Sequence, residues 1–194
     1  MSGLGSRRFA LAAGALVLGF ALVLAPVQGT AQFSPTFELL QALKKSDFYG
    51  IKTNALKGAN VNARDDDGVP ALVIAAEMRQ PGVVKFLIEQ GAHVNATTER
   101  EKETALMRAV AAGDKTSVAV LLYYGADPNM GDRLGETALM KAARTGKSEI
   151  VDLLIEAGAD LHLGDNTGLT ALDYAKRARK RQIVKQLEEA GAEY

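Results

Sequence analysis

Between Gly135 and Leu161 the apolar positions fall in two clusters of different texture. Ala138, Leu139, Ala142 and Ala143 lie at i, i+1, i+4 and i+5, the spacing of one face of a short helix. Ile150, Val151, Leu153, Leu154 and Ile155 follow as a second, more hydrophobic helix. Gly146 separates the two, and Gly158 stands just past the second, where a residue with positive φ closes the last turn. Thr137 is placed to cap the first helix with its hydroxyl, and Gly135 precedes it in a turn position. The pattern predicts a helical hairpin followed by a loop.

The same pattern returns along most of the chain. Pro70-Ala71-Leu72-Val73, Thr104-Ala105-Leu106-Met107, Thr137-Ala138-Leu139-Met140 and Thr170-Ala171-Leu172-Asp173 start 34, 33 and 33 residues apart. A Gly-Ala pair begins at Gly58, Gly91, Gly125, Gly158 and Gly191, with spacings of 33, 34, 33 and 33. A period in this range signifies a stacked array. One hairpin cannot bury its own apolar face, whereas neighbours stacked side by side share a continuous core.

These residues resemble the ankyrin repeat. The shared features are Leu121-Leu122 and Leu153-Leu154, Gly125-Ala126-Asp127 and Gly158-Ala159-Asp160, and Val61-Asn62 and Val94-Asn95. The chain departs from the family's Thr-Pro-Leu-His at the Pro, which is Ala71, Ala105, Ala138 or Ala171, and at the His, which is Val73, Met107, Met140 or Asp173. The resemblance implies an all-α solenoid of about five helix-turn-helix units with short hairpin-like loops. Its units run 34–63 (N-terminal cap), 64–96, 97–130, 131–163 and 164–194 (C-terminal cap). Ser34-Pro35 marks the start of the first helix, and the second helix, from Phe48 to Lys57, reads as irregular.

Residues 1–31 are of another kind. Arg7 and Arg8 precede an uncharged run from Phe9 to Ala25, followed by Pro26 and the small residues Gly29, Thr30 and Ala31. That is the layout of an export signal cleaved after Ala31, and it predicts a periplasmic or secreted protein. An aromatic residue directly after the arginine pair, with no later Lys, favours the ordinary secretory route over twin-arginine export. The leader carries two bases and no acid, so its removal takes the formal charge from 0 to −2. Near-neutrality argues against general nucleic-acid binding. There is no cysteine, hence neither a disulfide framework nor thiol chemistry.

Catalytic equipment is scarce. His93 and His162 sit in loops two repeats apart, too distant to share a metal. Asp65-Asp66-Asp67-Gly68 lacks the alternating acids of a calcium loop and has Ile74 where the final Glu belongs, so it reads as a solvated turn. Asn95-Ala96-Thr97 is formally a glycosylation sequon at a regular repeat position, and no Gly-rich phosphate loop occurs. The expectation is a protein that is not an enzyme and needs neither cofactor nor metal.

What remains is the concave surface that repeat arrays use. In proteins of the resembled family, contacts come from the loop tips and the exposed ends of the first helices. Carried over position by position, the tips supply Asp66, Asp67 and Val69; Arg100, Glu101 and Glu103; Arg133, Leu134 and Glu136; and Asn166, Thr167 and Leu169. The helices supply Glu77, Met78, Ala111, Ala112, Arg144, Thr145, Arg177 and Ala178, with Arg108 and Lys141 one turn earlier. The tip from Thr97 to Glu103 is one residue longer than the others and has Lys102 in place of the turn Gly, freeing it from the regular geometry. Met107 and Met140 read as inter-repeat packing, and the basic run from Lys176 to Arg181 as the charged outer surface of a terminal cap. The reading is a monomeric protein-binding module, acting as inhibitor, scaffold or stress-protective factor, touching no nucleic acid and, once the leader is cleaved, no membrane. The alternative is an envelope structural protein held in the membrane by the uncleaved leader.

Overall fold

The computed structural model describes residues 34–192; residues 1–33, with the expected export signal, and the last two residues lie outside it. Among the described residues ten helices follow in chain order: α1 Pro35–Lys44, α2 Phe48–Leu56, α3 Ala71–Glu77, α4 Pro81–Glu89, α5 Ala105–Ala112, α6 Lys115–Tyr123, α7 Ala138–Thr145, α8 Ser148–Glu156, α9 Ala171–Arg177 and α10 Arg181–Glu189. Consecutive helices pair as hairpins. The odd-numbered helices contact one another in series and form the inner layer, and the even-numbered helices line the outer one.

Local chemistry sets the boundaries. The hydroxyls of Thr104, Thr137 and Thr170 accept the backbone N–H three residues on, at 3.2, 3.4 and 3.3 Å, capping α5, α7 and α9. Gly146 and Gly158 close α7 and α8 with φ of 79° and 82°, as the pattern requires. At the turns where Gly113 and Gly146 stand in two repeats, Ser46, Arg79 and Arg179 take the same left-handed conformation in the other three. Ser34 caps α1 by accepting the N–H of Phe37 at 3.1 Å, with Pro35 in the first turn.

The helix α2 forms where the sequence places the second helix of the first unit, and two residues account for its irregular pattern. A Cβ at Gly50 would lie 3.1 Å from Ala42 Cβ, so the bareness of this residue lets α2 approach α1 closely. Asp47 caps the helix through the Gly50 N–H at 3.0 Å. The buried Asn54 amide, polar in a core position, donates to the Gly50 carbonyl at 2.9 Å.

One core runs the length of the stack, from Leu39 to Ala192. Alanines dominate the inner helices, where Ala75, Ala109, Ala142 and Ala175 are fully buried and allow close inter-helix approach. Leucines of the outer helices (Leu87, Leu121, Leu154 and Leu187) fill the space behind them. Met107 and Met140 are each 1% exposed, and belong to this core.

Candidate protein-binding surface

Each tip is a short hairpin held by one side chain. Asp65, Asp132 and Asp165 use Oδ1 to accept two backbone N–H groups: those of Asp67 and Val69 at 3.1 and 2.9 Å, Leu134 and Glu136 at 2.8 and 3.0 Å, and Thr167 and Leu169 at 2.8 and 2.9 Å. A short carboxylate reaching the backbone two and four residues on fixes the turn without help from packing. In the longer tip Thr98 stands in, its hydroxyl accepting from the Glu103 N–H at 3.1 Å. Lys102 there takes φ 58°, the conformation that Gly68, Gly135 and Gly168 supply elsewhere.

The tips are also joined to each other. Arg133 N–H donates to the Glu101 carbonyl at 2.8 Å, and Asn166 donates to the Leu134 carbonyl through its backbone at 2.9 Å and to the Arg133 carbonyl through its amide at 3.1 Å. Arg64 bridges Gly68 and Thr97 carbonyls at 2.8 and 2.7 Å. The result is a row of ordered turns along one edge of the array.

Beneath that row, a polar ladder climbs the inner helices through equivalent positions Arg108, Lys141 and Tyr174. Arg108 contacts Glu77 at 3.3 Å and Glu103 at 2.6 Å. Lys141 Nζ meets Asp132 at 2.6 Å, Glu103 at 3.2 Å and Glu136 at 3.4 Å. The Tyr174 hydroxyl lies 2.8 Å from both Glu136 and Asp165, and Arg144 contacts Glu136 at 2.7 Å while lying 5.4 Å from the Tyr174 ring centre. Burial pulls the Lys141 ammonium toward deprotonation, but the hydrogen bond and charge of Asp132, joined by Glu103, outweigh it and raise its pKa. Burial raises the Tyr174 phenol, and the flanking Asp165 and Glu136 raise it further. The Thr167 hydroxyl and the Leu169 N–H hold the Asp165 carboxyl far below the usual range. Burial pushes Asp65 up, but Lys44 at 2.9 Å and the N–H groups of Val69 and Asp67 outweigh it and lower it.

This arrangement divides the sequence-derived candidates. Glu136 and Lys141 are buried, at 6% and 8% exposure, so their charges face one another rather than a partner. Glu103 and Arg108 are half-buried in the same ladder, and Val69 and Leu169 are half-buried against the stack. Asp66, Asp67, Arg100, Glu101, Arg133, Leu134, Asn166 and Thr167 are exposed on the tips, as are Glu77, Met78, Arg144, Thr145 and Arg177 on the inner helices. Asp65 is no free calcium ligand but a latch held by Lys44 and its own turn. Among the described residues no group of His, Asp and Glu is placed to hold a metal ion. Asp132, Asp165 and Tyr174 were not singled out by the sequence reading, although Asp recurs at 65, 132 and 165 at multiples of the repeat.

The family model for ankyrin repeats in three copies matches residues 39–132 and 106–194. The chain belongs to the ankyrin repeat family. It is 36% identical over 91 residues to the ankyrin repeat and SAM domain-containing protein 6 of Rattus norvegicus, covering 46% of this chain and 10% of that protein. It is 35% identical over 73 residues to an ankyrin repeat-containing protein of Treponema pallidum (strain Nichols), covering 38% and 24%. An ankyrin repeat protein of Acanthamoeba polyphaga mimivirus is 36% identical over 80 residues, covering 39% and 49%. The matched stretch thus spans from a tenth to about half of these curated relatives. Ankyrin repeats mediate protein–protein interaction, and the family is typically a non-enzymatic interaction module. No helix among the described residues is long and apolar enough to cross a membrane.

Proposed function

We propose that this ankyrin protein is exported and binds a partner protein along its row of tips and the adjoining exposed ends of α3, α7 and α9. The observation that carries the reading is the tip-to-tip bonding from Glu101 through Arg133 to Asn166, which orders the backbone of a surface that nevertheless leaves Leu134 62% exposed. A preordered surface loses little conformational entropy on binding, so a modest set of contacts gives useful affinity. An exposed Leu between Arg133 and the polar pair Asn166 and Thr167 offers an apolar anchor with a polar rim. The Arg7-Arg8 pair, the uncharged run to Ala25 and the small residues at 29 and 31 support export to the periplasm or beyond. The intact mass of the protein recovered from the host checks this: loss of residues 1–31 is expected, and their retention favours a membrane-held form.

The binding claim is tested by affinity capture from host envelope extract, comparing the native protein with an Arg133→Glu, Leu134→Asp, Asn166→Ala variant of unchanged helicity. Lys141 is kept intact because reversing a buried charge would unfold the stack. A protein retained by the native form and lost by the variant is the expected result. Identical capture by both forms overturns the assignment of the surface.

A further inference from the structure

The outer helices share a register, so equivalent positions are directly comparable. On α8 the outward positions are Glu149, Asp152 and Glu156; the same positions on α2 are Tyr49, Lys52 and Leu56. Tyr49 is 80% exposed, Leu56 69% and the adjacent Phe48 50%. The patch continues onto the next two repeats. The Phe48 ring meets Phe86 of α4 edge-on at 6.3 Å, and α6 presents Tyr123 at 84% exposure, packed at 5.2 Å against Tyr124, whose hydroxyl donates to Glu89 of α4 at 2.9 Å. Charge divides along the same line. Lys45, Lys52 and Lys57 outnumber the acids around the α2 aromatics, where Glu38 is exposed, Asp47 is engaged as the helix cap and Glu89 of α4 is taken up by Lys85 and Tyr124, whereas the α8 positions are acidic.

We propose that the outer face of the first three repeats docks on an anionic phospholipid surface. Aromatic rings and lysines interleaved on one face suit the headgroup region, where rings sit at the boundary and lysine stems lie along apolar surface with their ammonium groups among phosphates. Protein interfaces favour arginine over lysine. The helices α2, α4 and α6 contain Lys52, Lys85 and Lys115 and no arginine; Lys85 and Lys115 are paired with Glu89 and Glu149 at 3.8 and 3.2 Å, so Lys52 and its neighbours Lys45 and Lys57 carry the charge of the patch. The placement also fits the order of the chain, because this patch lies on the repeats nearest the uncharged run that ends at Ala25. A protein released from its leader would then remain peripheral to the membrane it crossed, a contact that the sequence alone does not lead one to expect. The binding edge formed by the tips belongs to different segments of each repeat and is not used in this docking.

The absence of native cysteine makes a site-local test clean. Leu56→Cys and Glu156→Cys, each carrying one environment-sensitive fluorophore on the protein as the host produces it, are titrated with phosphatidylcholine vesicles with or without about one-third phosphatidylglycerol. A label reports its own surroundings whether or not the leader is present. The expected result is a blue shift at position 56 with anionic vesicles only, and none at 156. Adding Lys45→Ala, Lys52→Ala and Lys57→Ala should lower partitioning roughly a hundredfold, each lysine near an anionic surface contributing about fivefold. Equal shifts at both positions, shifts with neutral vesicles, no shift at all, or a shift at 56 that follows protein concentration without lipid would each overturn the proposal, the last in favour of a second copy.

Discussion

Replacing Lys141 with Met tests whether the polar ladder holds the stack together. Met preserves much of the side-chain length and fills the site, so the change removes chiefly the ammonium. Three carboxylates lose a partner, and two of them, Asp132 and Glu136, have side chains only 7% and 8% exposed. Glu136 keeps Arg144 and Tyr174, and Glu103 keeps Arg108. Asp132 keeps its backbone N–H contacts at Oδ1, but its Oδ2 loses the 2.6 Å contact to Lys141. Removing one partner of a buried ion pair costs about 3–5 kcal/mol. In a stack of this size that corresponds to a fall in Tm of roughly 10 °C. Circular dichroism at the helix band gives the melt, and urea unfolding gives the free energy. The double variant Lys141→Met, Asp132→Asn should recover about 1 kcal/mol or more of the loss, because the orphaned charge is removed. A Lys141→Met protein within about 1 kcal/mol of the native form would refute the view that the ladder is structural.

Three further outcomes follow from the same geometry. Asp65, Asp165 and Asp173 have lowered folded pKa values, so their contributions are present above the unfolded value of about 3.9 and fade as pH falls through the folded values. Lys141 and Tyr174 have raised ones, so theirs are present below the unfolded values of about 10.4 and 10 and fade as pH rises through the folded values. Tm should therefore be level from about pH 5 to 9.5 and fall on both sides, with Tyr174→Phe softening the alkaline fall; a narrow maximum near neutrality contradicts this. Gly135→Ala should cost about 2 kcal/mol or more in urea unfolding, because φ is 79° and the added Cβ would lie 2.9 Å from the Asn166 backbone nitrogen. Lys102→Gly should raise stability by up to about 1 kcal/mol, since it relieves a left-handed Lys at the cost of a freer unfolded chain; destabilisation would mean that the Lys102 side chain holds the longer tip.

The repeat period, the helix pairs and the Thr137 cap were legible in the sequence because each rests on short-range chemistry. Thr137 and Gly146 lie within one hairpin and depend on nothing beyond it. What Gly50 and Asn54 do in α2 was not legible, since Gly50 is explained by the approach of Ala42 of α1 and Asn54 by its bond to the Gly50 carbonyl one turn back. The ladder was hidden for a different reason. Glu103, Glu136 and Lys141 look like solvated charges on a tip and a short helix, and their meeting depends on how one repeat stacks on the next. The separation of 38 residues between Glu103 and Lys141 is a property of that stacking rather than of any motif. Burial of Glu136 and Lys141 also narrows the binding candidates to the exposed tips, a division that residue type alone could not make.

Whether a partner protein rests on the row of tips is read by hydrogen–deuterium exchange of the chain alone and with its captured partner. New protection is expected at residues 131–136 and 164–169 and at the ends of α7 and α9, with α8 and α10 unchanged. Protection confined to the outer helices, with the tips exchanging as in the free protein, would contradict it.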